Sequence, residues 1–531
     1  MIGRRSLVRA ATVLTAAPPL SPALSQRVAK ERTLRFVPQA NLSALDPIFA
    51  LPGITVTHGY CVFDTLYGVD GQLRPQAQMS DGHEVSDDGR KWRFRLREGL
   101  RFHDGEPVRA IDCATSLERW SKRDAFGQML GAAVESFDAE DDRTLQIRLI
   151  RPFPRLLEAI GKPHSAPAFI MPERFARTNP NVAISEMIGS GPWRFIADEY
   201  QSGSRAVYER FEHYVPRREP ADWTSGGKRV NFERMEWIVI PDPSTAAAAL
   251  QSGEVDWWEQ IHPDLASFLT RRRGITVERS DPYGLIAVAR FNHLHPPFDN
   301  VALRRAVLGA ISQPDFMRAI SGTDRDIWSE CYSLFPCGMP GVDEAGADLM
   351  RPPRDLEVAR SAVRASGYRG QRAVLLNPTD LPAVRPHGHL LAAVLRQIGI
   401  NVDLQEMDWG AAVQRRNSRE PIERGGWSVA CTNWPSVSIA NPAMNAAVRG
   451  QGATGWPGWF ESREMERLTQ DWLSAAAPDD GNRIFNMIQR LSFDQVPTLP
   501  LGQFFHRHAF RNDIQGILPG SVSYFWNVRR E

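Results

Sequence analysis

Between residues 355 and 404 two amphipathic helices are followed directly by a strand, and this alternation restricts the fold more than any single motif. Asp355 stands before Leu356, Ala359 and Val363, which share one helical face, and Gly367 sits where such a helix ends. Leu390 to Ile398 predicts a second helix, which Gly399 closes before a strand at Ile400 to Leu404. The same grammar appears upstream. Thr33 to Val37 predicts a strand and Val56 to Leu66 a helix, and Met235 to Ile240 predicts a buried strand. Pro243 to Gln251 is an Ala-rich helix stopped by Gly253, and Asp299 is the expected cap of a helix carrying Leu303, Val307 and Ile311. Strand and helix pairings of this kind indicate an α/β chain with doubly wound lobes. A length of 531 residues exceeds the roughly 250 to 300 at which one hydrophobic core stops growing, so at least two lobes are expected. No long Gly/Ser linker separates them. Asp281 to Gly284 and Pro497 to Gly502 are the Pro- and Gly-containing breaks assigned as hinge crossings.

The formal net charge is only +1, which argues against a surface built for nucleic acid. Arg4, Arg5 and Arg9 precede a mildly apolar run from Ala10 to Ala17 and the small residues of Ala23-Leu24-Ser25, so residues 1–25 read as a secretory signal peptide, twin-arginine or general. No Cys precedes Cys61, which argues against a lipid anchor, and no later run supplies the roughly 18 apolar residues of a membrane helix. A soluble periplasmic protein is expected. Cys331 and Cys337 bracket a short loop that suits either a local disulfide or two buried thiols, whereas Cys61, Cys113 and Cys431 read as buried thiols.

Catalytic signals are absent. His103 and Asp104 fall in a turn, Gly189 to Pro192 lacks the Lys of a P-loop, and Ser190 has no nucleophile-elbow pentapeptide around it. The His387/His389 and His506/His508 pairs lack any accompanying Cys/His cluster and read as exposed histidines, and Asp256 reads as a turn residue. No enzyme, cofactor or metal site is expected.

Glu84 to Trp120 carries an alternating strand at Trp92 to Leu96, a His103-Asp104-Gly105 turn and a helix from Asp112. This segment resembles the N-terminal part of the family 5 extracellular solute-binding proteins, the receptors of peptide and nickel ABC importers. Further strings resemble the family in order: Leu45-Asp46-Pro47, Gly189-Ser190-Gly191-Pro192-Trp193, Gly253-Glu254-Val255-Asp256, Phe291-Asn292, Pro297-Phe298-Asp299 and Arg304-Arg305-Ala306. Met407-Asp408-Trp409 and Gly425-Gly426-Trp427 are similar to a proteobacterial subgroup without an assigned ligand.

The resemblance implies an α/β, two-lobed periplasmic binding protein fold (cluster C, type II) with a subdomain inserted in the first lobe. Lobe I would hold residues 26–57, 195–282 and 496–531, the insert 58–194, and lobe II 283–495. It also implies a monomer that closes over a small organic or peptide-like ligand and delivers it to an ABC permease in the inner membrane. The family's peptide binders follow the strand ending at Trp434 with an Asp for the peptide amino terminus, yet here Pro435-Ser436-Val437-Ser438 follows. They also carry an Arg for the ligand carboxylate, where this chain has Asn377 or Pro378 with Arg385 nearby. Candidate ligand contacts are Trp434, Asn433 and Trp427 from the second lobe and Tyr60, Trp257 and Trp258 from the first, because aromatic walls with few polar anchors make small-molecule clefts. The rival readings are a haem or metal carrier on the same fold and a periplasmic hydrolase.

Overall fold

The computed structural model describes residues 31–351 and 353–531, so the expected signal peptide lies outside the described residues. Two large sheets organise the chain. The first has seven strands in the order Trp193–Phe195, Arg205–Arg210, Arg234–Ile238, Thr33–Val37, Trp257–Trp258, Arg507–Arg511, Ile275–Arg279. Thr33–Val37 lies at its centre and pairs in parallel with both neighbours, where Leu34 and Phe36 are fully buried. Phe36 meets the rings of Trp257 and Phe525 at centroid distances of 5.0 and 4.9 Å, so the C-terminal tail closes this core.

The second sheet runs Trp328–Ser329, Thr498–Phe504, Leu285–Phe291, Val429–Pro435, Ala373–Pro378, Val402–Met407. Its strands obey the period of two that sorts side chains onto opposite faces. Ala287, Ala289 and Phe291 pack with Leu303, Phe316 and Leu391 of the covering helices, while Ile286 and Val288 face the other way, toward Ile439 and Trp434. Both sheets are mixed: parallel pairs, Thr33–Val37 with Arg234–Ile238 and Ala373–Pro378 with Val402–Met407, stand beside antiparallel ones in each.

A separate four-stranded antiparallel sheet, Ser80–Val85, Lys91–Leu96, Thr144–Leu149 and Val134–Ala139, is built from the region between the first two strands of the first sheet in chain order. Trp92, Phe94 and Leu96 point inward as their alternation requires, against helix Ala110–Ser121.

The caps explain where helices begin. Asp242 and Asp355 accept backbone N–H groups of Thr245 and of Glu357 and Val358. Asn300, not Asp299, caps Val301–Leu308, since its extended backbone lets the side chain accept from Ala302 and Leu303 at 2.9 and 3.3 Å. The helix expected from Leu390 starts earlier, at Arg385, and the strand expected at Ile400 is Val402–Met407. The helix expected over Val56 to Leu66 is Gly53–Val62.

The chain crosses between the large sheets twice, after Arg279 and after Phe504. The boundary expected at residue 496 is therefore moved: Thr498–Phe504 pairs with Leu285–Phe291 in the second sheet, and only Arg507–Arg511 onward returns to the first. The lobes are apposed. One apolar cluster continues from Tyr60 and Trp526 to Phe335, Trp472 and Phe485 of the second lobe, Arg155 lies over the Trp472 ring at 4.5 Å, and Arg507 bridges to Asp324 at 2.7 Å. No helix of the described residues is long and apolar enough to cross a membrane.

Candidate ligand cleft

Among the described residues, the chambers walled by both lobes include two that adjoin the loop 162–166. One, of about 150 Å³, is walled by Gln39, Trp257, Glu259, His506 and the 518–523 tail on one side and by Leu285 and Pro435 on the other. The second, of about 280 Å³, lies between Val69–Pro75, Arg155 and Lys162 and the second-lobe residues Val437, Met444, Trp472 and Phe485. The loop 162–166 touches both, through Lys162 and Pro163 on one side and His164 on the other.

Buried polar groups set that loop. Tyr60 donates its hydroxyl to the Pro163 carbonyl at 3.0 Å. Lys162 pairs with Asp124 at 2.8 Å and donates to the carbonyls of His164 and Ser165. Ser165 and Ala166 take φ of +54° and +52°, a conformation non-glycine residues hold only when their surroundings enforce it. Beneath Tyr60, the buried Lys228–Asp64 pair (2.7 Å) puts its ammonium 4.9 Å from the Trp526 ring and so ties the C-terminal tail to this wall.

The first chamber is acidic at its base. Glu259 is the residue after the Trp257–Trp258 strand; its N–H donates to Val37, and its carboxylate accepts from Gln39 N–H at 2.7 Å and Ser523 Oγ at 3.0 Å. Burial pushes its pKa up to about 7 against the pull of those two bonds. Asp281, at the hinge, accepts from Tyr283 N–H at 2.9 Å and is raised by burial to about 6. His506 and His164 are lowered by burial to about 4, which keeps both neutral at physiological pH.

Of the six sequence-derived candidates, Trp257 alone borders a chamber. Its indole donates to His508 Nδ1 at 3.2 Å. Trp258 is core beneath the Ala-rich helix, and Tyr60 works through the Pro163 carbonyl. Trp427 packs with Val374, Leu376 and Trp459. Trp434 lies edge-on to Trp456 at 5.3 Å, whereas Asn433, one residue earlier and therefore on the opposite sheet face, donates to Ala383. The following residues do reach the cleft, Pro435 in the first chamber and Val437 in the second. Glu259, Asp281 and Lys162, none of them singled out from the sequence, also line these chambers. Glu259 adjoins a tryptophan pair that drew attention by itself, and Asp281 lay inside the assigned hinge.

Other expectations are corrected. His387 is fully buried beside Phe316, and His508 is buried with Nε2 3.3 Å from Glu278; only His389 of these carries a half-exposed side chain, facing Glu406. Asp256 sits in the bend that follows the Ala-rich helix, as read, but is fully buried there, where it accepts Arg35 N–H and pairs with Arg530 at 2.6 Å. Cys331 and Cys337 are joined in a disulfide, and Cys61, Cys113 and Cys431 are buried thiols. Among the described residues no group of three or more His, Cys, Asp or Glu is assembled for a metal ion.

The comparisons agree with this architecture. A dipeptide binding protein from Pseudoalteromonas sp. SM9913 in complex with Met-Leu superposes with a TM-score of 0.76 at 18% identity, over 94% of this chain and 100% of its own. The "Probable peptide ABC transporter periplasmic-binding protein y4tO" of Sinorhizobium fredii (strain NBRC 101917 / NGR234) is 33% identical over 536 residues, 100% of this chain and 99% of the relative. The glutathione-binding protein GsiB of Shigella flexneri is 24% identical over 481 residues, 87% of each. The model of the bacterial extracellular solute-binding proteins, family 5 Middle, matches residues 74–455. The chain belongs to the family 5 extracellular solute-binding proteins, the substrate-binding components of ABC importers.

Proposed function

We propose that this protein captures a small organic, peptide-like solute between its lobes in the periplasm and, once closed, presents it to a membrane permease, acting as a monomer after removal of residues 1–25. The observation that carries the reading is the pair of chambers walled by both lobes, the first of them flanked by the two chain crossings. A solute held there touches both walls only in the closed form, so it favours closure by the difference in its affinity for the two forms. The names of the relatives, which speak of peptides, a dipeptide and glutathione, make peptide-like solutes the first class to test.

The test is native mass spectrometry of the purified protein for a retained small molecule, with small-angle scattering before and after its removal. A retained solute whose loss expands the particle is expected. A preparation that holds no solute and keeps one shape across a panel of peptides and glutathione would overturn the reading.

A further inference from the structure

The hinge-side chamber holds a buried acid that no Lys or Arg among the described residues pairs with. Glu259 is about nine-tenths buried, and its carboxylate meets two neutral donors, Gln39 N–H and Ser523 Oγ, with no ion pair to Lys or Arg among the described residues. Asp281 on the same wall is equally buried and accepts backbone N–H groups. The neighbouring Arg279 guanidinium donates to the Pro282 carbonyl at 3.0 Å and lies 3.5 Å from the Phe505 ring centroid, so it favours the charged form of Asp281 through space without a direct ion pair and leaves Glu259 unpaired. Lys162, the ammonium of the adjoining loop, is held by Asp124. His506 makes its contact with Gln260 Nε2, and His508 is engaged by Trp257 and Glu278. Ser521 Oγ, also on the wall, is buried with no hydrogen-bond partner. Opposite them the second lobe offers Leu285 and Pro435, and the segment that follows Trp434 carries no carboxylate.

Buried carboxylates are paired or they shift toward the neutral form, and a site left short of positive charge selects a ligand that brings it. We propose that the chamber binds the protonated amine of the solute, with Glu259 of the first lobe as its counter-charge and Asp281 completing the contact at the hinge. This rests on the interlobe cleft being the ligand site and adds the ligand's chemical class: a primary ammonium compound, anchored from the first lobe. The cation would close the charge balance of a wall to which the second lobe contributes only apolar surface and backbone.

The probe is a tryptic digest of casein, offered untreated and after complete acetylation of its amines, with retained molecules read by native mass spectrometry. Retention of unmodified peptides is expected, falling at least tenfold for the acetylated pool and at least tenfold in Glu259→Gln, which keeps the shape of the side chain; Asp281→Asn should give a smaller loss. A Glu259→Gln melting temperature at or above that of the parent shows that lost retention is not lost folding. Equal retention of the acetylated pool, or wild-type retention by Glu259→Gln, overturns the amine site while leaving the receptor reading intact. Retention from neither pool overturns the amine site together with the peptide-like ligand of the proposed function.

Discussion

Replacing Glu259 by Gln should stabilise the protein, and by an amount that depends on pH. In the folded chain the carboxyl is lifted by burial from 4.5 to about 7, which disfavours its charged form by about 3 kcal/mol. The sign follows from proton counting. Between pH 4.5 and about 7 the folded state holds the proton that the unfolded state has already released, so stability falls as pH rises through this window. Below pH 4 both states are protonated, and the acid carries no penalty. Above pH 8 the whole penalty of about 3 kcal/mol is present, and Gln never incurs it. Gln keeps an oxygen for Gln39 N–H, while the Ser523 hydroxyl can turn to accept from the new amide, so little is lost in exchange. With an unfolding entropy of about 2.1 cal/mol/K per residue, 3 kcal/mol raises Tm by about 3 °C if the chain melts as one unit and about 7 °C if a lobe of some 200 residues melts alone. The assay is calorimetric melting of ligand-free protein and variant at pH 4 and pH 8.5. The reasoning is refuted if the two proteins show the same Tm difference at both pH values, or if the variant is the less stable at pH 8.5.

Tyr60→Phe removes the bond to the Pro163 carbonyl from a buried site and should cost about 1 to 3 kcal/mol, read as a lower urea midpoint, because the orphaned carbonyl stays buried. The same change should weaken binding of any retained solute severalfold by loosening loop 162–166; unchanged affinity by calorimetry would separate that loop from the site. Trp434→Ala strips the packing against Trp456 and Ile286 and should cost about 2 kcal/mol or more in stability with little change in ligand affinity, the reverse of what a cleft-lining tryptophan would show. Joint replacement of Cys331 and Cys337 by Ser opens a loop of sequence separation 6 and should lower stability by about 2 kcal/mol in urea unfolding, whereas a reductant should have no further effect on that variant.

What the sequence made legible was whatever local chemistry decides. The Asp355 cap, the stop at Gly253, the Trp92–Leu96 alternation and the first crossing, at Asp281–Gly284, all follow from one stretch of chain meeting a rule of backbone geometry, whereas the second crossing falls after Phe504 and not at Pro497–Gly502. The error at residue 496 shows the limit. Thr498–Phe504 is buried throughout and suits either sheet, so its partner is set by where Leu285–Phe291 already lies, more than 200 positions upstream. Burial of His508 and Asp256 was likewise hidden, because each enters the interior where distant groups receive it, Trp257 and Glu278 for His508, Arg35 and Arg530 for Asp256.

The site was half legible for a related reason. Tryptophan count identified residues that could line an aromatic wall, but cores use the same side chains, and five of the six candidates stand outside the chambers. Identity therefore could not separate wall from support, and the proposed amine site rests on charge balance instead. The segment after Trp434 lacks the acid that the family's peptide binders place there, yet the opposite lobe presents Glu259 at the end of the Trp257–Trp258 strand, held by neutral donors alone. An acid moved from one lobe to the other still faces the same interlobe space. A missing motif residue thus argues against a function only after the facing wall has been searched for the same charge.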